Sequence, residues 1–331
     1  MSETLIDNHG RIINYVRLAV TDRCNLRCNY CMPEKGIQFL HRSDLLSYEE
    51  MLRMTRIFAE LGIEKIRLTG GEPFVRRDIM PFIRQLSKTE GINKIVLTTN
   101  GTLTEPFIPE LKKCGISSVN LSLDSLDAKR FFEITRRDEF DKVWASFLKF
   151  LAYDIKVKIN SVVMSGKNDA DIISLVELTK KYPVSVRFIE EMPFNGIGNH
   201  DASESFWSWQ KILQRIKTYY PTLTKIQDEP HSTSYNYAIE GHQGTVGIIA
   251  AYSRTFCGTC NRLRVTPQGS LRTCLYDSGT FNLRDLMRQT KDDEFVKIAL
   301  RDAVAHRAKD GFEAEKNRTF EVHESMTTIG G

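Results

Sequence analysis

The chain of 331 residues predicts an α/β fold, a parallel sheet wrapped by helices. Two observations carry this. Short apolar runs of strand length alternate with longer segments of helical period, and they do so repeatedly between residues 15 and 219. That alternation is the mark of successive βα units. The helical segments are also punctuated: Ser47 with Glu50 forms a capping box, and Gly62, Gly91 and Gly115 stand where helices should stop.

Taken in order, the strands are expected at residues 15–20, 65–69, 95–99, 119–123, 157–163 and 184–190. The helices are expected at 48–61, 79–89, 105–114, 140–153, 170–182 and 203–219. Eight such units close a full barrel. The smaller number here leaves a partial barrel or an open doubly wound sheet. After Tyr219 the texture changes. Residues 221–244 read as a polar loop, and strand-like stretches follow at 246–251 and 263–266. A division into 1–220 and 221–331 is expected on that basis. The tail ends Gly330-Gly331, which ordinarily means a frayed terminus.

Hydrophobic content of 41%, charged content of 27% and a net charge of +4 describe an ordinary globular chain. They call for no nucleic-acid partner. No run of about 18 apolar residues occurs, so no membrane span is expected. The first residues lack a signal-peptide pattern. Seven cysteines without an export signal point to reduced thiols in the cytoplasm.

Six of those cysteines fall in two sets. Cys24, Cys28 and Cys31 form C-x3-C-x2-C. Three thiolates are one too few for a [4Fe–4S] cluster, so one iron would keep an open position. S-adenosylmethionine is the obvious ligand for it, by chelation through its amino and carboxylate groups. The plainer reading is zinc, but no fourth Cys or His stands in the loop; His9 and His41 only flank it. Cys257, Cys260 and Cys274 form C-x2-C-x13-C. Zinc with a distant His is the competing reading there. Otherwise this is a second open-iron cluster that binds a substrate atom, and Arg262 and Arg264 beside it suit an anionic substrate. Cys114 stands alone and reads as a small buried hydrophobe.

Strands of a parallel sheet are normally apolar throughout. Here Arg17, Arg67, Lys156 and Lys158 interrupt them. With a period of two, Arg67 shares a face with Thr69, Asn120 with Ser122, and Lys158 with Asn160. The lumen so lined is polar and cationic. A buried cation without a partner is costly. Either these residues pair with Glu72, Asp124 or Glu190 or lie exposed at a strand end, or they await an anion such as a phosphate chain. In Thr69-Gly70-Gly71-Glu72-Pro73, the glycines permit close approach of a ligand, and the carboxylate could accept from an ammonium group. Tyr30 offers an aromatic face or main-chain atoms to an adenine.

These motifs together resemble the radical S-adenosylmethionine superfamily. The run Phe256-Cys257-Gly258-Thr259-Cys260-Asn261-Arg262-Leu263-Arg264, with Cys274 and the Gly-Gly terminus, resembles the GTP 3′,8-cyclases of molybdenum cofactor biosynthesis. The similarity runs from about Gly10 to Gly331. It implies an incomplete (βα)6 TIM-like barrel with a C-terminal iron–sulfur extension, and two [4Fe–4S] clusters. Cys24, Cys28 and Cys31 would hold the cluster that cleaves S-adenosylmethionine. Cys257, Cys260 and Cys274 would hold the one that meets the guanine.

The resemblance also implies that Tyr30, Gly70, Gly71, Glu72, Ser122 and Met192 contact S-adenosylmethionine. Arg17, Arg67, Thr98, Lys158, Arg262, Leu263 and Arg264 would contact GTP. Arg17, Arg262, Arg264, Gly330 and Gly331 would carry the catalysis, the tail reaching into the site. Lys156 is the other lysine that could face the substrate. The implied reaction starts with a 5′-deoxyadenosyl radical that takes hydrogen from C3′ of GTP. The C3′ radical then attacks C8 of the guanine. The implied partners are a flavodoxin- or ferredoxin-type electron donor, a downstream cyclic pyranopterin monophosphate synthase, and a second copy in a homodimer. Two rivals stand beside this reading: a two-cluster radical enzyme acting on a peptide, and a non-enzymatic zinc scaffold.

Overall fold

The computed structural model describes residues 4–192, 206–318 and 325–329. Leu5–Ile6 (β1) and Ile12–Ile13 (β2) form a small antiparallel ribbon. The βα units follow. They are β3 (Tyr15–Ala19), α1 (Tyr48–Glu60), β4 (Lys65–Thr69), α2 (Ile79–Leu86), β5 (Lys94–Thr99) and α3 (Ile108–Lys113). Then come β6 (Ser118–Ser122), α4 (Ala128–Thr135), α5 (Phe140–Ala152), β7 (Lys156–Val163), α6 (Ile172–Lys181), β8 (Ser185–Glu190) and α7 (Trp209–Tyr219). The remainder holds β9 (Thr224–Lys225), β10 (Tyr235–Ala238), β11 (Thr245–Ile249), β12 (Arg262–Val265), β13 (Ser270–Arg272) and β14 (Phe281–Asn282). It closes with α8 (Leu283–Gln289), α9 (Asp293–Ala305), α10 (Gly311–Lys316) and α11 (Met326–Ile329).

The predicted strands and helices of residues 15–182 are found within a few residues of their expected limits, whereas the helix expected at 203–219 begins at Trp209, residues 203–205 lying outside the described residues. The capping box of α1 is formed as expected: Ser47 Oγ accepts from Glu50 N, and a Glu50 carboxylate oxygen accepts from Ser47 N. Three readings need correction. Residues 128–135 make a helix, α4, capped by Asp127, which accepts from Arg130 N. Residues 221–244 are not all loop, since β9 and β10 add outer strands to the sheet. Their half-exposed, polar sequence hides them from a search for apolar alternation. The helices α8 to α10 also had no forecast.

One sheet of 12 strands, in the order β14-β13-β12-β3-β4-β5-β6-β7-β8-β11-β10-β9, organises the chain. From β12 to β11 every neighbouring pair is parallel. The C-terminal region therefore does not hang from one end. It extends both sides of the N-terminal sheet, through β12 on β3 and β11 on β8. The outer faces of these strands, such as Val16, Leu18, Ile66 and Leu68, join Phe58, Phe82, Phe147 and Phe150 in a single core.

Register places the charges on the other face. Arg264, Arg17 and Arg67 stand opposite one another across β12, β3 and β4. Arg262, Tyr15 and Lys65 form the next row. Like charges opposite each other destabilise a sheet, so the arginine row is a cost that packing alone does not explain.

The turn after β4 holds the first cysteine loop. Gly71 N donates to Thr21 O (2.8 Å) and Glu72 N to Arg23 O (2.9 Å). A Cβ on Gly70 would lie 2.2 Å from Thr21 O, and one on Gly71 would lie 2.2 Å from Arg23 O. Gly70 also has φ of +134°. The glycines thus admit the chain's own cysteine loop, where the sequence suggested room for a ligand. A Cβ on Gly258, in the second loop, would meet nothing within 4 Å. Gly71→Ala should therefore destabilise the protein by about 1–3 kcal/mol in chemical denaturation, by overpacking. Gly258→Ala should be near neutral, and equal effects would contradict the clamp.

Candidate functional site

The inner face of the sheet encloses a cavity of about 420 Å³, within the range of small-molecule sites. Side chains from β3, β4, β5, β6, β7, β8, β11 and β12 line it, so the sheet curves around it. All six clustered cysteines line it as well. The first set arrives on the loop after β3. The second arrives on the loop before β12 and just beyond β13.

Within each set the thiols act on one another electrostatically. Among the described residues, no three His, Cys, Asp or Glu side chains gather as a single ion would require. A cuboidal cluster puts each thiolate on a different iron and needs no common point. The donor set, three thiols and no fourth, fits a cluster with one open corner at both places.

The surroundings of the two sets differ. Burial, joined by Glu72, pushes the Cys24 thiol up to about 11. Burial, joined by Cys24, pushes Cys31 up to about 12. Cys28 is also raised, through burial and then Asp124. In the second set burial raises Cys257, and takes Cys274 to about 11. Cys260 goes the other way. Burial opposes its ionisation, but Arg262 and Arg307 overcome this and bring it down to about 6.

The three acids that could have neutralised the lumen are engaged elsewhere. Glu72 is fully buried and accepts from Phe74 N (3.2 Å), Thr99 Oγ1 (2.8 Å) and Asn100 N (2.7 Å). Asp124 accepts from Tyr30 Oη (2.9 Å) and Val162 N (2.8 Å). Glu190 accepts from Trp209 N, Ser253 N and Ser253 Oγ. Arg17, Arg67, Lys158 and Arg187 line the cavity and make no ion pair among the described residues. Glu229, on the cavity wall, acts on Lys158 and Arg187 only through space. Among the described residues, the buried Nε atoms of Arg17 and Arg187 have no hydrogen-bond partner. Burial, then Arg187, draws Lys158 down to about 8, and burial, then Arg67, draws Arg187 down to about 10. Among the described residues these cations have no carboxylate bonded to them, and they stand ready for an anion.

Most expected contact residues meet at this cavity. Tyr30, Gly70, Gly71, Ser122 and Met192 line it, as do Arg17, Arg67, Thr98, Lys158, Arg262 and Arg264. Tyr30 commits its hydroxyl to Asp124, so only its ring is offered. Thr98 Oγ1 accepts from Arg67 Nη1 (3.1 Å), and Tyr276 Oη donates to Met192 Sδ (3.0 Å). Lys156 is exposed at the start of β7, whereas Lys158 lines the cavity. Leu263 does not reach the lumen: strand alternation turns it into the core between Arg262 and Arg264. Glu72 lies behind the wall with its oxygens taken, so it braces the loop and offers no acceptor for an ammonium. Gly330 and Gly331 lie outside the described residues. The tail nonetheless comes to the site, since Met326 and Thr327 line the cavity and Ser325 Oγ donates to Cys31 O (2.8 Å).

Sequence reasoning missed Arg187, Tyr15 and Lys65. Arg187 breaks an apolar strand just as Arg17 does, and Tyr15 precedes Arg17 by one strand period. Tyr15 is hydrogen-bonded by Arg67 Nε, and Lys65 Nζ sits 4.4 Å from its ring centre. Burial alone would raise its phenol, but Arg67, Arg17 and Lys65 prevail and lower it to about 7. An acid depressed by folding stabilises above its unfolded value near 10, and that stability is lost as pH falls through about 7. Tyr15→Phe should thus cost more stability, relative to the parent, at pH 9 than at about pH 6.5. A pH-independent difference in denaturation midpoints would contradict this.

Comparison with known proteins agrees with the geometry. The model of the Radical SAM superfamily matches residues 18–179, and that of Molybdenum Cofactor Synthesis C matches residues 184–312. The GTP 3′,8-cyclase of Syntrophomonas wolfei subsp. wolfei is 42% identical, over 99% of this chain and 100% of its own. The mitochondrial GTP 3′,8-cyclase of Arabidopsis thaliana is 40% identical, over 92% of this chain and 78% of its own. Molybdenum cofactor biosynthesis protein 1 of Dictyostelium discoideum is 41% identical over 91% of this chain, which spans only 48% of that longer protein. Among solved structures, Streptococcus suis SuiB bound to S-adenosylmethionine superposes with a TM-score of 0.60 at 16% identity, over 88% of this chain and 69% of that one. At that identity the likeness speaks for the fold alone. The chain belongs to the GTP 3′,8-cyclase family of the radical S-adenosylmethionine superfamily.

Proposed function

We propose that this chain converts GTP to (8S)-3′,8-cyclo-7,8-dihydroguanosine 5′-triphosphate, the first step of molybdenum cofactor biosynthesis. One observation carries the proposal: a set of cations without ion-pair partners lies in a single cavity between two three-thiol sites. The printed names of the relatives and the family membership support it.

The two clusters, one held by Cys24, Cys28 and Cys31 and the other by Cys257, Cys260 and Cys274, supply the electron for cleaving S-adenosylmethionine and an open iron for the guanine. The residues of this chain do the rest. Arg17, Arg67, Lys158 and Arg187 would neutralise the triphosphate. Their spread over β3, β4, β7 and β8 fixes the nucleotide at several points and not one. Arg262 and Arg264 stand where the nucleotide meets the second thiol set. Thr98 adds a hydroxyl beside Arg67. Tyr30 and Ser122, with Gly70 and Gly71, lie on the cavity wall, where S-adenosylmethionine would rest, and Met192, held by Tyr276, would meet it from the other side. Holding C3′ of the ribose beside the adenosyl group turns a bimolecular hydrogen transfer into an internal one. The curved sheet keeps water and stray hydrogen donors out of its path.

The family membership also supports a flavodoxin- or ferredoxin-type electron donor, a cyclic pyranopterin monophosphate synthase downstream and a homodimer. A cytoplasmic setting is the reading that seven reduced thiols without an export signal favour. A boundary near residue 220 separates the barrel-like units from the region that carries the second thiol set.

Anaerobic incubation with GTP, S-adenosylmethionine and a reductant should give the cyclised nucleotide and 5′-deoxyadenosine by mass spectrometry. A fully iron-loaded protein that leaves GTP unchanged would refute the proposal. Arg187→Ala should weaken GTP binding about 10- to 100-fold, the worth of one charge-assisted hydrogen bond. It should leave S-adenosylmethionine binding intact, and an unchanged GTP affinity would remove Arg187 from the site.

A further inference from the structure

The first and second thiol sets differ in the side chains that donate to their sulfurs. Carboxylates act on both, Glu72 and Asp124 on the first and Asp310 and Asp277 on the second, and Arg27 acts on Cys24. The side-chain donor to Cys24 Sγ is a neutral amide, Asn100 Nδ2, at 3.7 Å. Around the second, the donors are guanidinium groups. Arg262 Nε and Nη2 each lie 3.3 Å from Cys260 Sγ. Arg307 Nη2 lies 3.4 Å from the same sulfur, and its Nη1 donates to Cys260 O at 3.1 Å.

Arg262 lines the cavity and is available to a ligand there. Arg307 does not line it. It follows α9, is only 4% exposed, and is far in sequence from the thiol it reaches. A second device holds it. Asp7, at the end of the N-terminal ribbon, has a fully buried carboxylate 3.7 Å from Arg307 Nη1. Asp7 Oδ2 also accepts from Arg11 Nε at 2.6 Å, and Asp7 Oδ1 accepts from the backbone N–H groups of His9 and Arg11. Arg11 Nη1 in turn donates to Cys257 O at 3.0 Å. The ribbon before β3 therefore braces the second cysteine loop at both ends of its C-x2-C pair. A guanidinium buried this way is too costly to serve only as filler.

We infer that Arg307, held by Asp7, is a positioning residue that acts through Cys260 to make the second cluster easier to reduce than the first. The inference rests on the proposed reading that Cys257, Cys260 and Cys274 hold an iron–sulfur cluster. Reduction adds an electron to a cluster and its thiolates. N–H groups aimed at a ligating sulfur, and a positive charge beside it, stabilise the more negative state and raise the potential. The first set has a neutral amide as its side-chain donor at Cys24, which favours a lower potential than guanidinium donors do. A strongly reducing first site is the one suited to passing an electron to S-adenosylmethionine, while the second, easier to reduce, would take its own electron from the external donor first and, once reduced, draw no further electron from the first.

The test is a potentiometric titration of iron-loaded, full-length protein followed by electron paramagnetic resonance, on the parent, Arg307→Met and Arg307→Lys. Arg307→Met should shift the second cluster's midpoint to lower potential and leave the first cluster's in place. Arg307→Lys keeps the charge and should fall between the two. Iron content should match the parent in both variants. An Arg307→Met protein with full iron and an unmoved second midpoint would overturn the inference. So would loss of the second site's iron from both variants, since Arg307 would then be a structural prop. Failure of the underlying reading looks different: the parent itself would hold about four irons instead of about eight.

Discussion

Positive charge without a bonded acid, held inside a curved sheet, is the constraint on which the rest of this structure depends. Register brings Arg264, Arg17 and Arg67 face to face on three adjacent strands. Tyr15, in the next row, accepts from Arg67 and is drawn toward its ionised form by Arg67 and Arg17, but one phenol does not balance the row. Each cation loses water and gains a like-charged neighbour, and the loss is only tolerable because the large core outside the sheet outweighs it. The buried acids within reach, Glu72, Asp124 and Glu190, are each committed to backbone or hydroxyl partners, so they cannot relieve the repulsion. A polyanion can. The fold therefore stores at its centre an electrostatic demand that a triphosphate meets.

The same architecture explains how two distant pieces of sequence come to share that centre. The first cysteine loop is fixed because the turn after β4 has no side chains at Gly70 and Gly71, and its backbone hydrogen-bonds the loop directly. The second loop is fixed because β12 extends the sheet beside β3, and its own arginines continue the cationic row. Glu72 matters to the first loop and to the charge of the cavity alike. Its carboxylate ties the turn to Thr99 and Asn100, and burial raises it to about 7, so it carries only part of a negative charge near neutral pH.

Much of this was legible in the chain. Charged residues inside apolar strands marked Arg17, Arg67 and Lys158, and the thiol spacing marked both cysteine sites. Most strands and helices through residue 219 followed from periodicity alone. What escaped did so for physical reasons. Arg187 carries the same signal as Arg17, but its strand ends at Glu190, an apparent partner in sequence; the structure ties that carboxylate to Trp209 and Ser253 instead. Gly70 and Gly71 read as room for a ligand because sequence shows that space is needed and not what fills it. Leu263 was grouped with its arginine neighbours although strand alternation turns it away. The outer strands β9 and β10 are polar, and the partnership of Asp7 with Arg307 spans almost the whole chain, beyond any local pattern.

The most direct measurement compares equilibrium binding of GTP and of guanosine to iron-loaded protein, at low and at high salt. If the unpaired cations exist for the triphosphate, GTP should bind at least about a hundredfold more tightly than guanosine, as two or more charge-assisted contacts would give. That advantage should shrink as salt rises. Equal affinities for the two, unmoved by salt, would contradict the account.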